Sequence, residues 1–425
     1  CLPKTAWPPT CSGNGKTTSL RGIVALYERM GLDVALLAPT GRAAKRLGEV
    51  TGREAQTIHR CLGMSFNELT GQVTFKKNAK DPLEAHAVIV DEMSMVDLEL
   101  MQALLEALRP SCRLVMVGDP DQLPSVGAGN VLGDMLRSGV TPAVSLTQVF
   151  RQAEQSAIIR AAHAVDRGEL PPLENSGSGD LFFLRRRAPD RLVQTVVELC
   201  RDRLPKNMGI PAEQIQVLSP TRKYATGTTQ LNAMLQAALN PPAPEKQERK
   251  RGSVVFREGD RVMQVKNNYD IMWREEDGLK GGMGVFNGDI GVITEIQPDA
   301  GLLTVNFEGR LVEYTGDMLV ELELAYAMTV HKAQGSEYRA VILAVNSGAP
   351  MLMTRGVLYT AITRAKELFI VVGDESILGA MIANDRQARR YSGLRARLMN
   401  GGGENPLRSK RVLDLLQEQE LEPEN

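Results

Sequence analysis

Apolar residues along this chain fall into two patterns that take turns. From Thr17 to Met30 they recur at helical spacing, with Leu20, Ile23, Val24 and Tyr27 on one face, and Gly31 follows as a stop. Short apolar runs appear at Val34 to Ala38, before Asp91 and before Asp119, separated by helical patterns from Arg42 onward and over Asp97 to Leu108. Strands alternating with helices predict right-handed crossovers and a parallel sheet.

Residues 64 to 84 interrupt this order with a polar run and the alternating Gln72, Val73, Thr74 and Phe75, which predicts a β-hairpin insertion. A second α/β unit starts near Leu181, with a strand at Ile215 to Ser219 and a helix over Thr228 to Leu239. The proline-rich, charged stretch from Asn240 to Arg251 reads as a linker. Between residues 252 and 322 short alternating runs (Arg261 to Val265, Gly291 to Ile296, Leu302 to Phe307, Leu311 to Tyr314) separated by Gly, Asp and Asn predict a small β-barrel.

Helix and strand alternation returns from Ala325 to about Tyr391. The expected division is therefore a first α/β domain over 1–178, a second over 179–251 and 323–391, a barrel over 252–322 inserted into the second, and a tail over 392–425.

Length supports more than one core, since single domains cluster at roughly 100 to 150 residues and this chain has 425. No window approaches the roughly 20 apolar residues of a membrane span, and the first ten residues lack a signal peptide's pattern, so the expectation is a cytosolic (cytoplasmic) protein. Five scattered cysteines and four histidines give neither a disulfide framework nor a zinc spacing. A net charge of -1 offers no global attraction for a polyanion, so any grip on nucleic acid must be local. Cys1 stands in place of an initiator methionine, and the chain reads as a fragment.

Two strands end in acids, Asp91 with Glu92 and Asp119, at the edge where open α/β sheets bind nucleotides. Upstream, Ser12, Gly13, Asn14, Gly15, Lys16, Thr17 and Thr18 keep the right half of a phosphate-binding loop. Its glycines admit backbone N–H groups to the phosphates, its lysine reaches the β and γ oxygens, and a hydroxyl meets Mg²⁺. The left half departs from the pattern, with Thr10 where a glycine belongs. Asp91 matches the carboxylate that holds the Mg²⁺ shell, and Glu92 the residue that orients or deprotonates water.

These runs, together with APTGRAAKRL at Ala38 to Leu47, TIHR at Thr57 to Arg60, GDPDQLPSV at Gly118 to Val126, LTQVFRQ at Leu146 to Gln152, TVHKAQGSE at Thr329 to Glu337 and YTAITRAK at Tyr359 to Lys366, resemble the motifs of superfamily 1 DNA helicases. The branch is the RecD-like, 5′ to 3′ one, which includes the exodeoxyribonuclease V alpha subunit. The resemblance implies two RecA-like domains with ATP and Mg²⁺ between them, a strand-separating pin at the hairpin, and a barrel of Src-homology type that contacts DNA. It implies that Gln122 senses the γ-phosphate and that Arg151 and Arg364 are arginine fingers. It also implies an N-terminal extension that this sequence lacks.

For the grip on single-stranded DNA, Pro39, Thr40, Gly41, Arg42, His59 and Arg60 in the first domain and Thr329, His331, Lys332 and Ser336 in the second offer small, hydroxyl and cationic groups suited to phosphate contact. Aromatics are 4% of the chain, which leaves Phe150, Tyr224, Tyr269, Phe286 and Tyr326 as stacking candidates; each is better read as an ordinary core or barrel aromatic. The expected function is an ATP-dependent helicase acting on single strands and single/double-strand junctions, alone or with recombination or repair proteins. Its rivals are a hydrolysis-defective nucleotide-binding scaffold of a recombination complex, a nuclease, for which no separate acidic cluster is visible, and an RNA motor.

Overall fold

The computed structural model describes residues 16–67, 72–146, 156–173 and 179–401, save 277, 279, 347, 387–389 and 391. Gly13, Asn14, Gly15, Arg151 and Phe150 lie outside the described residues, as do the Thr17 side chain and the tail beyond residue 401.

Six strands precede the middle of the chain: β1 (Val34–Ala38), β2 (Ala55–Thr57), β3 (Met64–Asn67), β4 (Gln72–Phe75), β5 (Ala87–Val90) and β6 (Arg113–Met116). Four of them form a parallel sheet in the order β2-β1-β5-β6, because each returns through a crossover, while β3 and β4 pair antiparallel apart from it. All four residues of β5 are buried, so its apolar run has no polar face to show. Leu37, Val88, Val90, Leu100 and Leu104 pack one face of this sheet, and Leu20, Val24, Leu36, Leu47 and Ile89 pack the other.

A second parallel sheet begins with β7 (Leu181–Arg185) and β8 (Ile215–Ser219). The chain then leaves it for β9 (Glu248–Arg251), β10 (Val254–Arg257), β11 (Arg261–Gln264), β12 (Asn268–Glu275), β13 (Gly281–Val285), β14 (Ile290–Gln297), β15 (Leu302–Phe307), β16 (Arg310–Tyr314) and β17 (Leu322–Leu324). It returns with β18 (Ala327–Thr329), β19 (Tyr338–Val345) and β20 (Ala365–Gly373), giving the order β18-β8-β19-β20-β7. Strands β11 to β17 form an antiparallel sheet in the order β13-β12-β16-β15-β14-β11-β17, β9 and β10 pair apart from it, and the insertion has its own core of Phe256, Ile293, Val305, Phe307 and Tyr314.

Three placements differ from the sequence reading. Residues 248–251, expected in a linker, form β9 and pair with β10 from Arg251↔Val254 to Glu248↔Arg257. The helix Ala157–Asp166, expected in the first domain, belongs to the second by packing: Ile158, Ala161 and Val165 share a core with Val341, Leu343 and Phe369. The chain also crosses back at its far end. Arg390 Nη1 donates to Gly127 O (2.7 Å) and Gly129 O (3.2 Å), Ser392 Oγ bonds Asp134 (2.5 Å), and Leu394 of the helix Leu394–Met399 packs on the first domain's core.

Asp260 holds the insertion to the second domain. Fully buried, its carboxylate accepts from Gln236 (2.5 Å), Asn240 (2.7 Å), Tyr326 (2.9 Å) and the Arg257 amide (2.7 Å). Asp260→Ala strands these donors in the interior, and an expected loss of about 3 kcal/mol would show as a lower urea midpoint. An unchanged midpoint would show that the donors find other partners.

A candidate nucleotide site in the cleft between the sheets

The helix Lys16–Arg29 starts at Lys16 and carries no acid in its first turn, so none of its own first-turn carboxylates competes with an anion for its N-terminal dipole. Lys16 Nζ lies 3.7 Å from Asp119 Oδ2, so the acid after β6 sits against the base that starts the helix.

At the end of β5 the backbone turns sharply. Asp91 N–H closes on Leu37 O (3.0 Å), and Glu92 adopts φ 55°, one of two non-glycine residues with positive φ among the described residues. A glutamate in this left-handed conformation costs on the order of 1 to 3 kcal/mol, strain of the kind found at functional sites. Its N–H donates to Asp91 Oδ1 at 2.8 Å. Burial and then the neighbouring Glu92 charge push the Asp91 carboxyl up to about 6, against the Glu92 N–H, Lys16 and Arg46. Asp121 rises to about 6 as well, through burial and the charges of Asp166 and Asp119, with Lys16 opposing. A buried acid short of positive charge suits a site where a cation arrives with its ligand.

Across the cleft, the helix Arg355–Ile362 and the turn after it bring Tyr359, Thr360 and Arg364 to the segment 119–123. Tyr359 OH donates to Asp119 Oδ2 (3.0 Å), and Gln122 Nε2 donates to the same oxygen (3.2 Å). Gln122 Oε1 accepts from Arg364 Nη2 at 3.1 Å. Arg364 is 3% exposed and also donates to Ser336 O (3.1 Å) and Thr360 O (3.2 Å). Burial and the Asp119 charge hold the Tyr359 phenol well above its usual range, so it stays a donor.

Lys16, Asp91, Glu92, Gln122 and Arg364 are thus brought together. Among the described residues no group of three or more His, Cys, Asp or Glu side chains could hold a metal ion by itself, and the buried Asp91 carboxylate is a hard oxygen donor of the kind that suits Mg²⁺ carried on phosphate oxygens. Thr18, in the first turn of the helix Lys16–Arg29, is exposed.

Of the residues expected to grip a strand, Thr40, Gly41 and Arg42 lie against the second domain and its insertion, and several of the set are already engaged. Thr40 caps the helix Gly41–Thr51 by accepting from Ala43 N–H (3.3 Å), and Pro39 before it is partly buried. A Cβ on Gly41 would fall 2.9 Å from Phe286 Cβ of the insertion, and one on Gly335, at φ 73°, would fall 3.3 Å from Thr40 Oγ1, so both positions need glycine. Arg42 donates to Tyr338 OH (3.0 Å) with its guanidinium 5.4 Å over that ring, and Lys332 pairs with Glu323 (2.8 Å). Ser336 is 4% exposed, and its hydroxyl has no hydrogen-bond partner among the described residues. Arg42 is thus occupied across the seam, Lys332 is paired with Glu323 on its own side, and Ser336 is covered, so none of the three stands free for phosphate.

Thr329 Oγ1 accepts from Lys332 N–H (3.4 Å). Burial lowers the pKa of His59, which lies 6.4 Å from the Phe75 ring, and that of His331, where Arg390 adds to the effect. Arg60 is exposed.

Sequence reasoning marked Asp119 as a strand-end acid without its partners, and gave no role to Leu123, Gln334, Tyr359 and Thr360, which stitch the seam with it. Polar Tyr359 and Thr360 inside the otherwise apolar run VLYTAI were the available signal, since buried polar side chains need partners.

Three family models match: an AAA domain over residues 10–178, the ATP-dependent RecD-like DNA helicase SH3 domain over 231–307, and the UvrD-like helicase C-terminal domain over 324–372. The chain is 38% identical over 382 residues to the ATP-dependent RecD2 DNA helicase of Deinococcus radiodurans, covering 89% of this chain and 48% of that one. It is 33% identical to the RecBCD enzyme subunit RecD of Mycolicibacterium smegmatis, covering 92% of this chain and 72% of that one. It thus spans about half the length of the first relative. The crystal structure of Bacteroides Pif1 bound to ssDNA has the same fold, with a TM-score of 0.50 and 22% identity over 87% of this chain and 88% of that one. Among the described residues no helix is long and apolar enough to cross a membrane. With relatives matched over most of its length, one of them 33% identical and covered to 72%, the chain belongs to the RecD-like family of ATP-dependent DNA helicases.

Proposed function

We propose that this chain is an ATP-driven motor that moves 5′ to 3′ along single-stranded DNA and unwinds duplex ahead of it. The observation that carries the reading is the unbroken path from Lys16 through Asp119 and Gln122 to Arg364, which joins the phosphate end of one domain to a cation of the other. Lys16 and the start of its helix hold phosphate oxygens, Asp91 and Thr17 hold the cation's shell, and Glu92 orients water. Arg364 neutralises charge from the far side of the cleft, joined by Arg151. Bound Mg²⁺ supplies Lewis-acid neutralisation of the phosphate oxygens.

Cleft closure on the nucleotide moves the second domain, with its inserted sheet, against the first. The β3–β4 hairpin acts as the pin that splits the duplex. The residues at the seam, from Pro39 to Arg42, His59 and Arg60 on one side and Thr329 to Ser336 on the other, hold the strand when the seam opens to admit it. The direction of travel rests on the motif resemblance to the 5′ to 3′ branch, and likeness to a RecBCD subunit supports a pairing with recombination or repair proteins.

The test is ATP hydrolysis by the 425-residue chain with and without single-stranded DNA, beside Lys16→Ala. Strong strand stimulation that Lys16→Ala lowers by about 100-fold or more is expected, in keeping with loss of phosphate neutralisation. A folded chain that binds nucleotide but never hydrolyses it would instead favour the scaffold.

A further inference from the structure

The segment 119–123 follows β6 of the first domain, yet most of its partners come from the second. Leu123 is fully exposed to none but protein: it is 0% accessible and belongs to the core that also holds Val341, Leu343 and Leu358. Its N–H donates to Thr360 Oγ1 (3.0 Å), and its carbonyl accepts from Gln334 Nε2 (2.7 Å). The segment is therefore seated in the second domain while its first residue touches the phosphate-loop lysine of the first.

That first residue is the informative one. Asp119 is 8% exposed, and its Oδ2 collects the Tyr359 hydroxyl at 3.0 Å, the Gln122 amide at 3.2 Å and the Lys16 ammonium at 3.7 Å. Lys16 is the group that phosphate oxygens would draw away. A buried carboxylate that loses its cation leans harder on the hydrogen bonds that remain, because charge-assisted bonds carry more energy in a low dielectric. Those that remain are the Asp121 N–H (3.2 Å, to Oδ1), the Gln122 amide and the Tyr359 hydroxyl, and of the three only the hydroxyl belongs to the second domain.

We propose that Tyr359 is a positioning residue that reads the state of Lys16 through Asp119 and transmits it to the second domain. The inference rests on the strand-coupled motor reading above. The hydroxyl tightens on Asp119 when Lys16 turns to phosphate and slackens when Lys16 returns, so nucleotide occupancy biases the seat of the whole segment 119–123. Nothing in this relay requires Tyr359 to touch the nucleotide.

Tyr359→Phe removes the hydroxyl and keeps the ring, so the test can be made on the full chain with its fold checked by thermal melting. A fluorescent non-hydrolysable ATP analogue is titrated with and without a thymidine oligonucleotide; the ratio of the two affinities measures coupling, which in linked sites is about fivefold or more. The expected result is a strand-free affinity within about threefold of the parent and a coupling ratio below about twofold, with kcat at saturating strand down about tenfold and KM for ATP little changed. Adding Asp119→Asn to Tyr359→Phe should lower coupling no further, since the pair acts as one unit. A parental coupling ratio in Tyr359→Phe, or a loss of strand-free affinity with coupling intact, would overturn the relay and leave the motor reading standing. A parent chain whose turnover and nucleotide affinity both ignore the strand would overturn the motor reading and the relay with it.

Discussion

Glu92→Gln is expected to lower strand-stimulated ATP turnover by about 10² to 10⁴ while leaving nucleotide affinity within about threefold of the parent. The substitution is nearly isosteric, so the turn at φ 55° and the N–H bond to Asp91 should persist and only the carboxylate is lost. It also removes the charge that helps raise the Asp91 pKa, which makes Asp91 easier to ionise and should, if anything, aid binding of Mg-nucleotide. Loss of rate with affinity held is thus the signature of a group that orients or deprotonates water. Steady-state hydrolysis set beside nucleotide titration decides it; retention of more than a few per cent of the rate would hand that task to another residue of the cleft.

Arg364→Ala should have the second large effect, a fall in turnover of about 10³ or more, the range seen when a cleft arginine is removed. Two contributions must be separated here. Arg364 is 3% exposed and bonded to Gln122, Ser336 and Thr360, so its loss leaves buried acceptors unpaired and should destabilise the chain by roughly 2 to 4 kcal/mol. Arg364→Lys keeps the charge but loses the planar fork that reaches four acceptors at once, Thr363 Oγ1 among them. If the arginine acts in the transition state, both variants lose kcat well below their melting temperatures, with nucleotide affinity nearly unchanged. Equal losses of affinity and rate would assign it to binding instead.

Much of this molecule was legible in the order of its residues. The strand Ile215–Ser219, the helix Thr228–Leu239 and the strand Leu302–Phe307 begin and end where periodicity puts them, because each has a mainly apolar run or stripe bounded by turn residues. Glu248–Arg251 escaped notice since its side chains are all charged; it is a strand only because β10 offers it a backbone partner. β13 was hidden by Gly281, Gly282 and Gly284, which carry no side-chain signal.

The helix Ala157–Asp166 shows a different limit. Its stripe reveals that it buries one face, and not which sheet receives it. The site divides in the same way. Lys16, Asp91 and Glu92 stand out because their chemistry demands those residue types next to a strand end or a glycine loop. Tyr359 and Thr360 do not, because their role depends on partners more than 200 positions away, as the separations of 240 and 237 residues to Asp119 and Leu123 show.

The return of the chain through Arg390 and Ser392 to the first domain has a mechanical consequence. The two domains are tethered covalently twice, once between the helices Val131–Ser138 and Ala157–Asp166 and again between residues 384 and 392. A second connection limits how far the domains can part, because any opening that one link would allow must also be allowed by the other.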